Sequence, residues 1–409
     1  RRRERFGPSF SHGYFGFVTF AVGEPELVRE ILMDRENNFS SRMGWDFSLG
    51  RLFEGGLMLR DFDDHRAQRN IMQAAFRPAA MRDYLEIINP IIDRGIADWA
   101  GNPRFPFYPK MKQLGLQVAT ELLLGESLDA ETGRKVGRSF VDVVHAAVAI
   151  VRRPVPPLRY WRGIRARAFL ERYFGSQIEQ RRNSTRTDMF SQLCRAQDEA
   201  GNRLSDEEIV QHIIFLVFAA HDTTASAITT AIWALCTHSR WQEQLRHEIR
   251  AHDSPVMQYD VLDALVETDW VFKEAIRLQP PGAFMVRRTV REVQLGPYQL
   301  PKNLSISPVA WITHYLPDWW TEPTRFDPLR FSPDRAEHRR HPGLYYPFGG
   351  GAHTCLGIHL GTMQAKAFLY QLLRRYTVVS KPRRPTRFQS VPIPHPTNSL
   401  PVELVRARD

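Results

Sequence analysis

From Ser205 to about His238 the chain reads as one long helix, and few folds can accommodate it. Ser205 with Glu208 three residues on is a capping-box signal for its start. At roughly 1.5 Å per residue the run spans about 50 Å, longer than a typical globular helix. Its apolar residues fall on every face, so most of it must be covered by other elements. It does not read as a membrane span. The apolar stretch 209–235 is broken by His212, His221, Asp222 and several threonines, and nowhere does the sequence offer about 18 uninterrupted apolar residues. In the middle lies Ala219-Ala220-His221-Asp222-Thr223-Thr224. A charged aspartate and two hydroxyls inside a buried helix are costly unless paired or hydrated, and hydroxyls can bond back to a preceding carbonyl. The segment is either a polar patch satisfied locally or part of a functional site.

Other helices are available to surround it. Apolar residues three and four apart mark helices over 84–99, 111–124, 136–151, 162–182, 241–251 and 261–278, and a last one runs over 356–375. Strand-like runs are fewer. One holds Phe15, Phe17 and Val22, after which Gly23-Glu24-Pro25-Glu26 opens a helix with Leu27, Val28, Ile31 and Leu32. Others fall within 284–309, near 376–379 and near 401–404. The expected class is mainly α with a minor β portion, with a small β-rich part over about 1–60. No Ser/Gly/Pro linker or charge block divides the 409 residues, so one domain over 1–409 is expected.

Composition narrows the function. With 43% hydrophobic residues and Gly 25 and Pro 28, disordered and collagen-like classes are excluded. Lys+Arg 55 against Asp+Glu 45 gives a net charge of +10, which fits nucleic acid, an anionic membrane surface or an acidic protein. Nucleic acid is set aside, because zinc-finger spacing, an aromatic RNA-binding box and a basic helix with heptads are all missing. Cys194, Cys236 and Cys355 are odd in number and lack paired spacing, against a disulfide scaffold or a four-cysteine zinc site. A reducing compartment, the cytoplasm, is expected. Because the chain opens at Arg1-Arg2-Arg3 without methionine, a preceding segment is expected to be missing.

The most informative loop is Phe348-Gly349-Gly350-Gly351-Ala352-His353-Thr354-Cys355-Leu356-Gly357. Consecutive glycines allow positive φ and close approach of backbone to a flat ligand. A cysteine just before a helix meets the positive end of the dipole and unpaired amides, which stabilise a thiolate able to ligate metal. The alternative is a small buried hydrophobe in a glycine turn.

Phe348, Gly351, His353, Cys355 and Gly357 resemble the cysteine signature of the cytochrome P450 haem-thiolate monooxygenases, with His353 where arginine is commoner. Further segments follow in the family's order. Glu274 and Arg277 match its Glu-x-x-Arg, and Arg330 in Phe326-Asp327-Pro328-Leu329-Arg330-Phe331 supplies the second arginine; a carboxylate held by two guanidinium forks is satisfied when buried. Asp222-Thr223 is similar to the family's acid-alcohol pair, with Ala220 in place of its usual glycine. His65 and Arg69, four apart on one helical face, are similar to its propionate-binding pair. Arg288, with Arg287 as the substitute, is similar to a further propionate-binding arginine.

The resemblance implies a soluble, bacterial-type P450 fold with haem b (iron protoporphyrin IX) between the long helix and the cysteine-loop helix. Cys355 is then the metal ligand. His65, Arg69, Arg288, His353, Phe348, Gly351 and Gly357 serve the cofactor, Glu274, Arg277 and Arg330 the structure, and Thr223 and Asp222 proton delivery for O2 activation. It also implies a pocket of Phe47, Phe53, Phe215, Phe218, Ala219, Phe284, Met285, Val286, Val391 and Ile393, whose apolar character suits a terpenoid, sterol-like or fatty substrate. Segments 38–41 and 160–163 are similar to members that handle sterols or retinoids. No Gly-x-Gly-x-x-Gly follows a strand, so a fused reductase is not expected, and electrons would come from a ferredoxin- or flavodoxin-type carrier. Arg335, His338, Arg339, Arg340 and His341 would receive such an acidic partner. The alternatives are a haem-thiolate peroxygenase or isomerase, or a non-enzymatic haem or lipid binder.

Overall fold

The computed structural model describes residues 5–14, 17–125, 130–380 and 385–407. The expectations placed on Arg1-Arg2-Arg3 and Phe15 lie outside them. In chain order the helices are α1 (Pro25–Met33), α2 (Ser41–Phe53), α3 (Phe62–Met72), α4 (Pro78–Ala100), α5 (Phe107–Leu124), α6 (Ala130–Ala147) and α7 (Arg159–Gly175). The short α8 (Ile178–Arg182) and α9 (Met189–Arg195) precede α10 (Asp206–Thr237), followed by α11 (Ser239–Arg250), α12 (Val266–Leu278), the single turn α13 (Ala310–Thr313) and α14 (Ile358–Arg375).

The long helix is α10. Glu208 N donates to Ser205 Oγ at 3.3 Å, and Ser205 N donates to Glu208 Oε2 at 2.8 Å, so both halves of the capping box form. It packs against α5, α7, α12 and α14, and 67% of its most apolar window is buried, which accounts for its composition. The expected helix over 162–182 is two helices, because Gly175-Ser176 is a poor helical step and Ser176 caps α7. The one expected to reach Val151 stops at Ala147, where Arg152 Nη1 donates to Ala147 O at 3.0 Å.

The strands are β1 (Phe10–Tyr14), β2 (Phe17–Val22), β3 (Phe39–Ser40), β4 (Phe105–Pro106), β5 (Arg287–Thr289), β6 (Val293–Leu295), β7 (Tyr298–Leu300) and β8 (Ser305–Pro308). After them come β9 (Tyr376–Val379), β10 (Phe388–Gln389), β11 (His395–Pro396) and β12 (Pro401–Arg406). The largest sheet runs β1-β2-β8-β5-β3, with β2 and β8 parallel from Thr19↔Ser305 to Val22↔Pro308. The β structure near the N-terminus is therefore not built from 1–60 alone: that stretch also carries α1 and α2, and its sheet is completed by β5 and β8. A small core of Val28, Ile31, Leu32 and Ile306 lies under this sheet, and the main core surrounds α10 and α14.

Candidate functional site

Cys355 lies three residues ahead of α14, in a loop closed by Cys355 N donating to Phe348 O at 2.8 Å. Gly349 and Gly351 adopt φ of +73° and +60°, which a side chain would strain. A Cβ on Gly351 would stand 2.0 Å from Leu32 O, and one on Gly350 3.1 Å from Leu32 Cδ1. The close approach these two glycines permit is thus toward α1, not toward a flat ligand. Gly357 leaves 4.0 Å between its place for a Cβ and Cys355 Sγ, and Phe348 packs on the main core. The Cys355 side chain faces open space, but the space is walled by protein, so burial pushes its thiol up while the Gly357 N–H and the Arg69 guanidinium pull it down. Helix-end amides alone therefore do not hold it as a thiolate; a coordinating metal would remove the proton.

Around the cysteine stand four nitrogen-bearing side chains. Arg69 Nη1 donates to Thr354 O at 2.6 Å. The His65 and His353 rings stack with centroids 3.9 Å apart. Burial first, then the charges of Arg69 and Arg287, holds His65 down to about 4. Burial with Arg287, His65 and Arg69 takes His353 to about 2, so both imidazoles are neutral at physiological pH. Arg287 is buried and burial pulls it down to about 10, its Nη1 donating only to the carbonyl of Val286 at 2.9 Å. Strand alternation turns Arg288 the other way, where its Nη1 reaches Asn303 Oδ1 at 3.2 Å. The arginine that joins the cluster is therefore Arg287, not Arg288.

Behind the loop, Glu274 is fully buried between two arginines. Arg277 donates from Nε to Oε2 at 2.6 Å and from Nη2 to Oε1 at 2.9 Å; Arg330 Nε and Asp327 N reach Oε1 at 3.2 and 2.9 Å. Arg277 Nη1 donates to His314 O at 2.7 Å, tying α12 to α13. Arg330 also pairs with Glu337 at 3.1 Å and bonds Thr321 O. Glu337 is an acid in a basic run, Arg335 to Arg340, and only that contrast could have singled it out in the sequence. It occupies Arg335, which also meets Asp327 at 2.6 Å; His338 packs on Phe331, and His341 accepts from Gly343 N. Of the five residues expected to receive a partner, Arg339 and Arg340 are left exposed.

Along α10, His212, Ala219 and Thr223 fall within about 20° of one helical stripe. His212 Nε2 meets Gln68 Oε1 at 2.9 Å, so the stripe faces α3, which carries His65 and Arg69. Thr223 Oγ1 donates to Ala219 O at 2.7 Å. Asp222 points elsewhere: Lys112 Nζ lies 2.7 Å from its Oδ1, beside a cavity of about 440 Å³ lined by Tyr108, His145, His221 and Ile393. Neither Lys112 nor the Gln68–His212 contact carried a signal in the sequence.

The aromatic residues divide. Phe218 lies on Phe53 with centroids 4.2 Å apart and Phe215 beside them. Phe284 sets its edge on Trp311, and Met285 and Val286 lead into β5 near Gly349 and Gly44. Phe47 and Val391 turn outward, 58% and 45% exposed, so neither lines an interior pocket.

The sequence model of the family described as Cytochrome P450 matches residues 1–401. The chain is a cytochrome P450. Cytochrome P450 136 of Mycobacterium tuberculosis is 38% identical over 385 residues, covering 93% of this chain and 78% of that protein. Human cytochrome P450 26B1 is 30% identical over 420 residues, covering 98% and 81%. The structure of retinoic acid bound cyanobacterial CYP120A1 superposes with a TM-score of 0.90 at 26% identity, covering 99% of this chain and 93% of that one. The expected mainly α P450 fold is therefore observed. As a P450 the protein is a haem-dependent monooxygenase that uses O2, a small-molecule substrate and a redox partner.

This P450's residues fit a haem. Among the described residues no group of three or more His, Cys, Asp or Glu could hold a metal ion, so iron at Cys355 must bring its other ligands with it. Arg287 lies buried and Arg69 half-buried beside it, neither with a carboxylate partner of its own. The nearest acids are taken: Asp61 accepts from Ser41 N at 2.7 Å and Arg42 N at 3.2 Å, and Asp34 from Asn38 N at 2.7 Å and Phe39 N at 3.0 Å. Buried guanidiniums without a countercharge are costly, and the two carboxylates of a haem would supply one.

Proposed function

We propose that this P450 inserts one oxygen atom of O2 into an extended apolar molecule of terpenoid, sterol-like or fatty character, with an isoprenoid acid of the retinoid kind as the first candidate. The observation that carries the reading is the aromatic wall that Phe53 of α2 makes with Phe215 and Phe218, which stand on the helix that also holds Thr223. The likeness to a cyanobacterial P450 with retinoic acid bound supports it.

Cys355 is the thiolate ligand of haem b in this reading, and Arg69, Arg287, His65 and His353 donate to its carboxylates. A bound haem supplies the oxidising chemistry; the chain seats it, keeps water out and moves protons. Thr223 holds a proton at Oγ1, one hydrogen bond from Ala219 O, and Asp222 passes protons inward from the cavity shared with Lys112. Electrons come from a separate ferredoxin- or flavodoxin-type carrier, received in the cytoplasm at Arg339 and Arg340.

The test is a titration of the haem-loaded protein with retinoic acid, a sterol and a long-chain fatty acid, read in the haem absorption spectrum. Retinoic acid is expected to perturb the spectrum at the lowest concentration and to yield a hydroxylated product with a reconstituted carrier. If none of the three classes alters the spectrum, the substrate reading fails, and full turnover with hydrogen peroxide alone would favour a peroxygenase.

A further inference from the structure

α6 buries one face and carries a second apolar stripe that no helix covers. Val136, Phe140, Val143 and Ala147 are buried in the main core, with the Phe140 ring beside Phe174 of α7. At about 100° per residue, Arg138, Val141 and Val148 lie within about 40° of Arg134 and on the opposite side from those four. The solvent side of a surface helix is ordinarily polar throughout. Here guanidiniums hold one end of it and aliphatic groups the other.

α5 stands across from this stripe. The cavity beside Asp222 continues along α6 into a second hollow of about 550 Å³ that Arg134, Arg138 and Asp142 border, and Leu116 of α5 and Val141 wall both. From Arg134 to Val148 the combined groove follows α6 for about 21 Å. Val144 and Val148 extend its aliphatic wall, and Ile393 lines the inner cavity. Two carboxylates face it among the described residues. Asp222 is held by Lys112 at 2.7 Å, which leaves Asp142 against two arginines at the outer end. Arg138 Nε donates to Arg134 O at 3.1 Å, and neither guanidinium is paired with a carboxylate among the described residues. Such a trough complements a molecule that is apolar along its length and anionic at one tip. A peptide would bring backbone donors and acceptors that an aliphatic wall cannot pair, and a neutral lipid would leave the arginines unmet.

We propose that the groove between α5 and α6 binds a fatty acid as a second ligand, apart from the haem pocket. Its carboxylate meets Arg134 and Arg138, and its chain lies along Leu116, Val141 and Val144 toward Ile393. Asp222 stands about 100° round α10 from Thr223, so the groove opens on another side of that helix from the stripe that faces α3. The inference does not rest on the substrate reading.

The experiment is equilibrium dialysis of the haem-loaded protein against radiolabelled dodecanoate, at low and high salt, with phenylimidazole added to occupy the iron. One dodecanoate per chain is expected to be retained beside the azole, less tightly as salt rises, and dodecanol should bind at least about tenfold more weakly. The variants Arg134→Glu/Arg138→Glu and Val141→Asp should each bind dodecanoate at least about tenfold more weakly than the parent. Both should keep the parent's haem content and its spectral response to phenylimidazole, because these side chains line an open groove and not the haem pocket. The proposal is overturned if no dodecanoate is retained once the azole is bound. It is equally overturned if either variant binds like the parent: an unaffected Val141→Asp would leave only ion pairing at the surface, and an unaffected arginine variant only apolar adsorption.

Discussion

Strand alternation sends Arg287 and Arg288 to opposite sides of β5, and the two environments could hardly differ more. Arg287 is buried beside two neutral imidazoles, with no acid of its own; Arg288 reaches an asparagine at the protein's edge. A buried cation in such a place is stabilised by a bound anion, so removing it weakens the hold on that anion, whereas removing its neighbour changes little. Arg287→Leu is expected to lower the haem content of purified protein several-fold, measured as haem per chain after desalting, while Arg288→Leu retains it. Equal loss in both variants would mean that the cluster does not grip the cofactor's carboxylates. The alternation itself is legible in the sequence, but which of two adjacent arginines faces inward is fixed only by the register Arg287↔Ile306, a pairing nineteen positions apart that no local pattern reports.

The elements behind the cysteine loop are locked by contacts of the same long range. α12 and α13 are joined through Arg277 and His314, which exchange hydrogen bonds: Arg277 Nη1 donates to His314 O, and His314 Nδ1 donates to Arg277 O at 3.1 Å. His314 Nε2 accepts from Tyr346 N at 3.3 Å, so both ring nitrogens are used and the ring must be neutral. Burial holds it down to about 3. Unfolded, the same group takes up a proton near its ordinary 6.5, so between about pH 6.5 and 3 the unfolded state binds more protons and stability falls as pH falls. His212, held down to about 3 by burial, acts in the same direction. The melting temperature should be nearly flat above pH 7 with respect to these groups and decline steadily below about 6.5. The decline should be shallower in His314→Gln, which keeps a donor but does not titrate. Parallel profiles for parent and variant would show that His314 is not part of the acid response. Periodicity made the helices legible, α10 above all through its capping box, while His314 and Lys112 escaped because hydrogen bonds and ion pairs across the fold leave no spacing to read. The break between α7 and α8 was within reach, since Gly175-Ser176 stands in the chain, but apolar periodicity runs through it.

For the whole molecule, a net charge of +10 says that anionic partners are favoured and nothing about where they bind. The fold distributes that excess unevenly: ion pairs absorb Arg277, Arg330 and Arg335, leaving Arg339 and Arg340 exposed ahead of the cysteine loop. Arg339→Glu/Arg340→Glu is expected to slow reduction of the haem by an acidic carrier about tenfold at low salt. The deficit should shrink as ionic strength rises, because the screening length falls to about 8 Å at physiological salt. Stopped-flow reduction of parent and variant across a range of ionic strengths decides the matter, and equal rates at low salt, or a deficit that salt does not shrink, would mean that the carrier is received elsewhere.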